Sequence, residues 1–146
     1  MFNKNNNGWS GGKPQPRENA VDVFIRNHAF NKQWILSPAD QTLVDYAEAA
    51  GKFMAEKKLT NSKIRSIYGE IKRIQMGTFE KEKSSFFLLK PKVAYAMGRD
   101  KDNEGLKLFQ YVFNQCYPLV VDENTYKNFS HFMEAILAFH RANGGN

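Results

Sequence analysis

Residues 60–77 read TNSKIRSIYGEIKRIQMG. Isoleucine or tyrosine recurs every three or four residues in this segment, at positions 64, 67, 68, 71 and 74. This interval matches the 3.6-residue turn of an α-helix, so the segment predicts a helix with one apolar face. Thr60 or Asn61 is the predicted N-cap, and Gly77 is the predicted end.

The helical spacing continues on the N-terminal side. Residues 37–40 read Ser-Pro-Ala-Asp, a typical helix start with Ser37 as the predicted cap and Pro38 in the first turn. Apolar residues then recur at threes and fours through Lys57. Residues 19–34 fit a short helix, or a helix followed by a turn, better than a strand.

Three further helices are predicted on the C-terminal side. Residues 80–83 read Glu-Lys-Glu-Lys and are predicted to form a charged linker. Pro91 lies inside the next apolar segment, so its helix either begins near Lys90 or is kinked there, and Gly98 is the predicted C′ residue. Apolar faces at helical spacing follow over residues 106–116 and 124–142, with Pro118 between them.

These patterns predict an all-α protein, a compact bundle of about five to six helices. No segment of alternating apolar and polar residues competes with the helical spacing. Residues 1–17 are rich in Asn, Gly and Pro, and are predicted to form a flexible tail. Residues 18–146 are predicted to form a single helical domain, since domains usually contain about 100–150 residues.

The composition argues against several classes of protein. The chain is 42% hydrophobic and contains 12 Phe, 6 Tyr and 2 Trp, which are enough for a core and argue against wholesale disorder. It has no apolar stretch of about 18 residues, so we expect no transmembrane helix, and residues 1–12 lack the apolar centre of a secretory signal. Cys116 is the single cysteine, which excludes an intramolecular disulfide. We therefore expect a reducing, cytoplasmic setting and no membrane partner.

The net charge of +6 is concentrated in one part of the chain. Residues 59–101 contain ten bases and four acids, whereas residues 102–146 contain three bases and five acids. A localised basic field suits a polyanion, either a nucleic acid or a membrane surface. The alternative is a lysine-rich surface that only keeps the protein soluble.

The sequence offers no clear group for catalysis or metal binding. Residues 100–105 imitate the first half of a calcium loop, but Tyr111 occupies the twelfth position, where a bidentate carboxylate is required. His131 and Glu134 form half of a metal-binding arrangement without a matching pair. Cys116 lies on an apolar face and has no base nearby in sequence. We therefore expect no catalytic residue, no metal and no cofactor.

Basic residues form ridges on two of the predicted helices. Arg65 and Lys72 are seven residues apart and share an edge of the first helix, which Arg73 extends. The ridge on the next helix has the spacing i, i+3, i+7 and consists of Lys92, Tyr95 and Arg99. Cations beside an aromatic ring suit a sugar–phosphate backbone, which is bound by charge and shape without sequence preference. The alternative is that Tyr95 belongs to the core and the cations are merely solvated.

Three segments contain unusual combinations of residues. Residues 58–71 read KLTNSKIRSIYGEI, residues 88–99 read LLKPKVAYAMGR, and residues 128–140 read NFSHFMEAILAFH. They resemble conserved motifs in the small subunit of type III-A (Csm) CRISPR interference complexes. The first resembles K-L-T-x-S-[QK]-I-R-x-[FIL]-[YL]-x-E-[IV], the second L-[KR]-P-[KR]-[LV]-A-Y-x-x-G-R, and the third the closing helix of that family. The resemblance spans about residues 35–146 and does not include the first 34.

This resemblance implies a non-enzymatic helical subunit, copies of which stack head to tail beside the backbone subunits. The copies would help to hold the guide RNA–target RNA duplex, largely through its phosphates. RNA cleavage would belong to the backbone subunits, and DNA cleavage and cyclic-oligoadenylate synthesis to the large subunit. The basic positions that match the motifs are Arg65, Lys90, Lys92 and Arg99, whereas Lys72 and Arg73 are candidates from helix geometry alone.

Two other interpretations remain open at this stage. The chain could be a helical protein–protein adaptor whose basic patch meets an acidic partner. A DNA-binding regulator would require a turn between Lys58 and Lys63 that places the Thr60 helix in a major groove.

Overall fold

The computed structural model describes residues 18–145, so the predicted tail over residues 1–17 lies outside the described residues. The described part of the chain is helical and contains no strand, which confirms the all-α prediction. Its α-helices are α1 (Ala20–Asn27), α2 (Gln33–Leu36), α3 (Gln41–Glu56), α4 (Asn61–Met76), α5 (Phe79–Phe87), α6 (Leu89–Arg99), α7 (Glu104–Cys116) and α8 (Glu123–Ala142). A short 3₁₀ turn, Tyr117–Leu119, links α7 to α8.

The bundle contains more helices than the sequence predicts, because α2 and α5 are separate elements. The prediction of a charged linker over residues 80–83 is wrong, since these residues lie inside α5. Thr78 caps this helix through its side chain, which accepts a hydrogen bond from the amide of Lys81. Phe79 and Phe86 lie seven residues apart on one face and are both buried. The four charged residues therefore form the solvent side of an amphipathic helix.

Two predicted helix ends are misplaced. Ser37 does not cap α3 but ends α2, and its hydroxyl bonds the side chain of Gln33. Asp40 caps α3 instead, because its carboxylate accepts a hydrogen bond from the amide of Leu43 at 3.0 Å. Gly98 lies inside α6, and the chain leaves this helix at Asp100, whose carboxylate is held by Lys63.

The other predicted helix boundaries agree with the structure to within two residues. Thr60 is the N-cap of α4 and Gly77 follows its last residue. Helix α6 begins at Leu89 with Pro91 in its first turn, where the missing amide costs no helical hydrogen bond. The predicted faces of α7 and α8 are also buried, including Phe113 and Phe129.

The centre of the bundle is the close packing of α3 against α8. Gly51 permits this approach, because a Cβ atom there would lie 2.6 Å from the carbonyl oxygen of Ile136 and 2.7 Å from the amide of His140. The apolar face of α4 packs against α5, α6 and α8, and its four isoleucines are at most 1% exposed. This packing fixes which side of α4 is left in solvent.

The loop that leads into α4 is held from two sides. Lys58 adopts a positive φ of 69°, a conformation that L-residues usually avoid. Asn103, the N-cap of α7, donates its side-chain amide to the carbonyl of Lys58 at 3.2 Å. The buried ring of His140 on α8 bonds the carbonyl of Leu59 at 2.5 Å. These contacts position the first turn of α4, where the candidate surface begins.

Candidate nucleic-acid interface

A groove runs along the surface of the bundle between α4 and α6, which pack against each other below it. The groove has a volume of about 680 Å³. Ser62, Lys63, Ser66 and Ile67 line it from α4. The residues that line it from α6 and the following turn are Pro91, Lys92, Tyr95, Ala96, Arg99 and Asp100. We call this feature the α4–α6 groove.

The predicted ridge on α6 lies along this groove. Lys92, Tyr95 and Arg99 all line it, so the structure brings together the three residues spaced i, i+3, i+7. The alternative that Tyr95 belongs to the core is wrong, because 66% of Tyr95 is exposed. Val93, on the opposite side of α6, is buried instead.

Tyr95 and Arg99 form a pair at the edge of the groove. The guanidinium carbon of Arg99 lies 5.7 Å from the centroid of the Tyr95 ring, within the range of a cation–π contact. The Nη1 atom of Arg99 also donates to the Tyr95 hydroxyl at 3.4 Å. The guanidinium is therefore oriented by an uncharged partner, and within residues 18–145 it has no carboxylate within 4.0 Å that would compensate its charge.

The two lysines of α6 are held only loosely. The Nζ atom of Lys92 lies 3.9 Å from a carboxylate oxygen of Glu70, at the outer limit of an ion pair. The Nζ atom of Lys90 lies 5.0 Å from the centroid of the Tyr117 ring and therefore leans away from the groove. Both side chains are exposed, and neither contact neutralises its charge strongly.

Lys72 and Arg73 differ from the other candidates because each has close carboxylate partners. The Nζ atom of Lys72 lies 2.6 Å from the carboxylate of Glu134 on α8, and this contact raises the pKa of Lys72. Arg73 pairs with Glu70 at 2.8 Å and with Glu82 at 2.9 Å, which raises the pKa of Arg73. The same guanidinium lowers the pKa of Glu70 through its hydrogen bonds. These ion pairs join α4 to α8 and α5.

Arg65 lies in a second, smaller cavity at the start of α4. Its volume is about 440 Å³, and Arg141 from the last turn of α8 lines it together with Arg65. We call it the arginine pocket. Within residues 18–145, neither guanidinium has a carboxylate within 4.0 Å, so two uncompensated positive charges face one cavity. Ser62 lines both the arginine pocket and the α4–α6 groove, so the two are adjacent.

Sequence reasoning missed Arg141 and the two serines. Arg141 is 76 positions after Arg65, and only the packing of α8 beside α4 brings the two together. Ser62 and Ser66 lie one helical turn apart on the exposed side of α4, which the isoleucine pattern could have indicated.

The candidates for metal binding and the single cysteine do not come together into a site within residues 18–145. Residues 18–145 contain no group of three or more His, Cys, Asp or Glu side chains that could hold a metal ion. Asp100, in the loop that imitates a calcium site, is paired with Lys63 at 2.8 Å, which lowers its pKa. Burial raises the pKa of the Cys116 thiol. No helix in the described part of the chain is long and apolar enough to cross a membrane.

The comparison with known families decides the assignment. A family model described as Csm2 Type III-A matches residues 37–146. The chain belongs to this Csm2 family. The match includes both cavities and all seven candidate residues between Arg65 and Arg99, and it confirms the resemblance to the small subunit of type III-A Csm complexes. No curated protein and no solved structure matches the chain.

Proposed function

We propose that this Csm2 protein holds the guide RNA–target RNA duplex of a type III-A CRISPR complex through the sugar–phosphate backbone. Its role in antiviral defence is non-catalytic, and catalysis belongs to other subunits. Its partners are the guide and target RNAs, the backbone and large subunits, and other copies of itself. Membership of the Csm2 family supports the complex as its setting. A cytoplasmic location belongs to the same proposal.

One observation carries the choice of RNA backbone as the ligand. Arg65, Lys92, Arg99 and Arg141 line two adjacent cavities, and none of them has a tightly paired carboxylate within residues 18–145. Cations in this state can neutralise phosphates and release the counterions that surround a nucleic acid, which supplies most of the affinity in sequence-independent binding. Phosphate contacts fix the position of a nucleic acid without reading its bases.

Lys72, Arg73, Lys90 and Tyr95 belong to the wider proposed surface. Lys72 is paired with Glu134, and Arg73 is paired with Glu70 and Glu82. These ion pairs must break before either cation can bind phosphate, so each cation should add less affinity than Arg65. Lys90 is two residues nearer the N-terminus of α6 than Lys92 and extends the surface toward Tyr117.

Head-to-tail stacking requires two unlike surfaces on each copy. The excess of bases over residues 59–101 and the excess of acids over residues 102–146 provide such a difference in charge. Opposite charges on successive copies would steer them together and set their orientation. We therefore include self-association along RNA in the proposal.

The salt dependence of RNA binding tests the proposed contacts. In Arg65→Ala and in Lys92→Ala, the slope of log K against log salt concentration should become shallower by about 0.7–0.9, the value for one lost phosphate contact. Affinity should fall about equally for RNAs of unrelated sequence, because no base contact is removed. Fluorescence anisotropy at several salt concentrations measures both quantities.

Lys52→Ala is the matched control. Lys52 is exposed on α3, which packs against α7 and α8 rather than against α4 or α6, so this variant should keep the wild-type slope. An unchanged slope in both Arg65→Ala and Lys92→Ala would refute the phosphate contacts. Absence of RNA binding by the wild-type protein would favour the adaptor, and sequence-selective binding of duplex DNA would favour the regulator.

A further inference from the structure

The α4–α6 groove contains apolar groups that binding of a phosphate alone does not require. Ile67, Pro91 and Ala96 give it an apolar floor, and the hydroxyls of Ser62 and Ser66 lie on its α4 side. A phosphate uses charge and hydrogen bonds and gains nothing from apolar carbon. The groove therefore has the composition of a site for a ligand with both an apolar and an anionic part.

Tyr95 is the most unusual side chain of the groove. Phe79, Phe86 and Phe113, from neighbouring helices, are at most 3% exposed, whereas Tyr95 is 66% exposed. Helix α6 buries Leu89 and Val93, so the fold does not need Tyr95 for its core. An exposed aromatic ring held by an arginine can stack on a flat ligand, as in proteins that bind single-stranded nucleic acid.

The charges around the ring favour an anion. Lys92 and Arg99 flank Tyr95 along α6, and Lys63 faces them from α4. Among the described residues that line the groove, Asp100 is the one acidic residue, and it forms an ion pair with Lys63 at 2.8 Å, so Lys92 and Arg99 supply the excess positive charge. A volume of about 680 Å³ is far larger than a phosphate needs and lies within the range of small-molecule sites.

We propose that the α4–α6 groove takes one unstacked nucleotide of the bound RNA. Its base stacks on Tyr95 over the apolar floor, and its phosphate pairs with Lys92 and Arg99. This inference rests on the proposed function and adds a nucleobase site to backbone contacts. The ring accepts any base, because every base has a π-face, so the site adds affinity without strong sequence preference.

The test uses a guide RNA–target RNA duplex of about 12 base pairs whose target strand carries one unpaired 2-aminopurine. The fluorescence of this base is quenched when it stacks. Tyr95→Leu removes the aromatic ring and keeps apolar bulk, and Tyr95→Phe keeps the ring. Tyr95→Leu should weaken binding about 5- to 150-fold, the range for one lost base–aromatic stack. Its salt slope should stay that of the wild type, because no charge is removed. The fluorescence should change on binding to the wild type and to Tyr95→Phe, but not to Tyr95→Leu.

The outcomes separate this inference from the proposed function. If the wild type binds RNA with a steep salt dependence and Tyr95→Leu binds equally well, the nucleobase site is overturned and backbone binding stands. A weaker affinity of Tyr95→Phe that equals the loss in Tyr95→Leu would also overturn stacking, since the ring would then not matter. If the wild type does not bind RNA, both proposals fail. Thermal melting of each variant checks that the fold is intact.

Discussion

Replacing Phe129 by alanine should lower the free energy of unfolding by about 3–5 kcal/mol. Phe129 lies on α8, is fully buried, and has ring centroids 5.6–6.0 Å from those of Phe86, Phe113 and Tyr126. Truncation removes these contacts and leaves a cavity between α5, α7 and α8, which the rigid helices cannot fill. For a domain of this size, the melting temperature should fall by roughly 10–20 °C. Thermal and urea denaturation, followed by circular dichroism, measure the change.

Phe87→Ala is the matched control for this substitution. Phe87 is adjacent to the buried Phe86 but is 50% exposed, so the same truncation should cost about 1 kcal/mol or less. Ile71→Ala on α4 should cost about 2–5 kcal/mol, because Ile71 is also fully buried. A wild-type melting temperature in Phe129→Ala or in Ile71→Ala would show that the buried faces of α8 or α4 have been misassigned.

The affinity per binding site should rise steeply with the length of the RNA. A single copy that contacts only a few phosphates should bind a short RNA with a dissociation constant of about 10⁻⁴–10⁻⁶ M at physiological salt. Adjacent copies that contact one another raise the effective concentration of each neighbour, which can add about 10²–10⁴ in affinity. The uneven charge of residues 59–101 and 102–146 is the feature that would support such contacts.

A titration of RNAs of increasing length at fixed salt measures this effect. Analytical ultracentrifugation gives the number of copies bound to each RNA. Dividing the affinity by this number distinguishes self-stacking from the increase in affinity that comes only from having more binding sites. Repetition at high salt should weaken the cooperativity, because charge complementarity between copies is screened. An affinity per site that does not change with length, with the protein monomeric throughout, would rule out self-stacking and leave other subunits as the assembly partners.

The helices of the core could be predicted from sequence because their pattern is local. The isoleucines of α4 define its buried face, and the position of Pro91 gives the start of α6. The linker prediction at residues 80–83 is wrong because it was based on charge alone. Four consecutive charges suggested a linker, although Phe79 and Phe86 have the spacing of a helix face that packs on α4 and α8.

The site could be predicted only in part, because several of its properties depend on contacts between distant residues. The ridge of Lys92, Tyr95 and Arg99 follows from spacing within one helix. The partnership of Arg65 with Arg141, and the ion pair of Lys72 with Glu134, both depend on where α8 packs. Sequence spacing gives the edge of a helix, but it does not show which cations already have partners.

Chemical footprinting of lysines on the unmodified protein shows which face of the bundle binds RNA. Acetylation by a limiting reagent, with and without bound RNA, reports on every lysine at once by mass spectrometry. RNA should protect Lys92 in the α4–α6 groove and Lys90 on the wider proposed surface, while exposed Lys52 on α3 and Lys32 before α2 should keep their reactivity. Protection of Lys52 and Lys32, with Lys90 and Lys92 unchanged, would contradict this prediction and place the RNA on another face of the bundle.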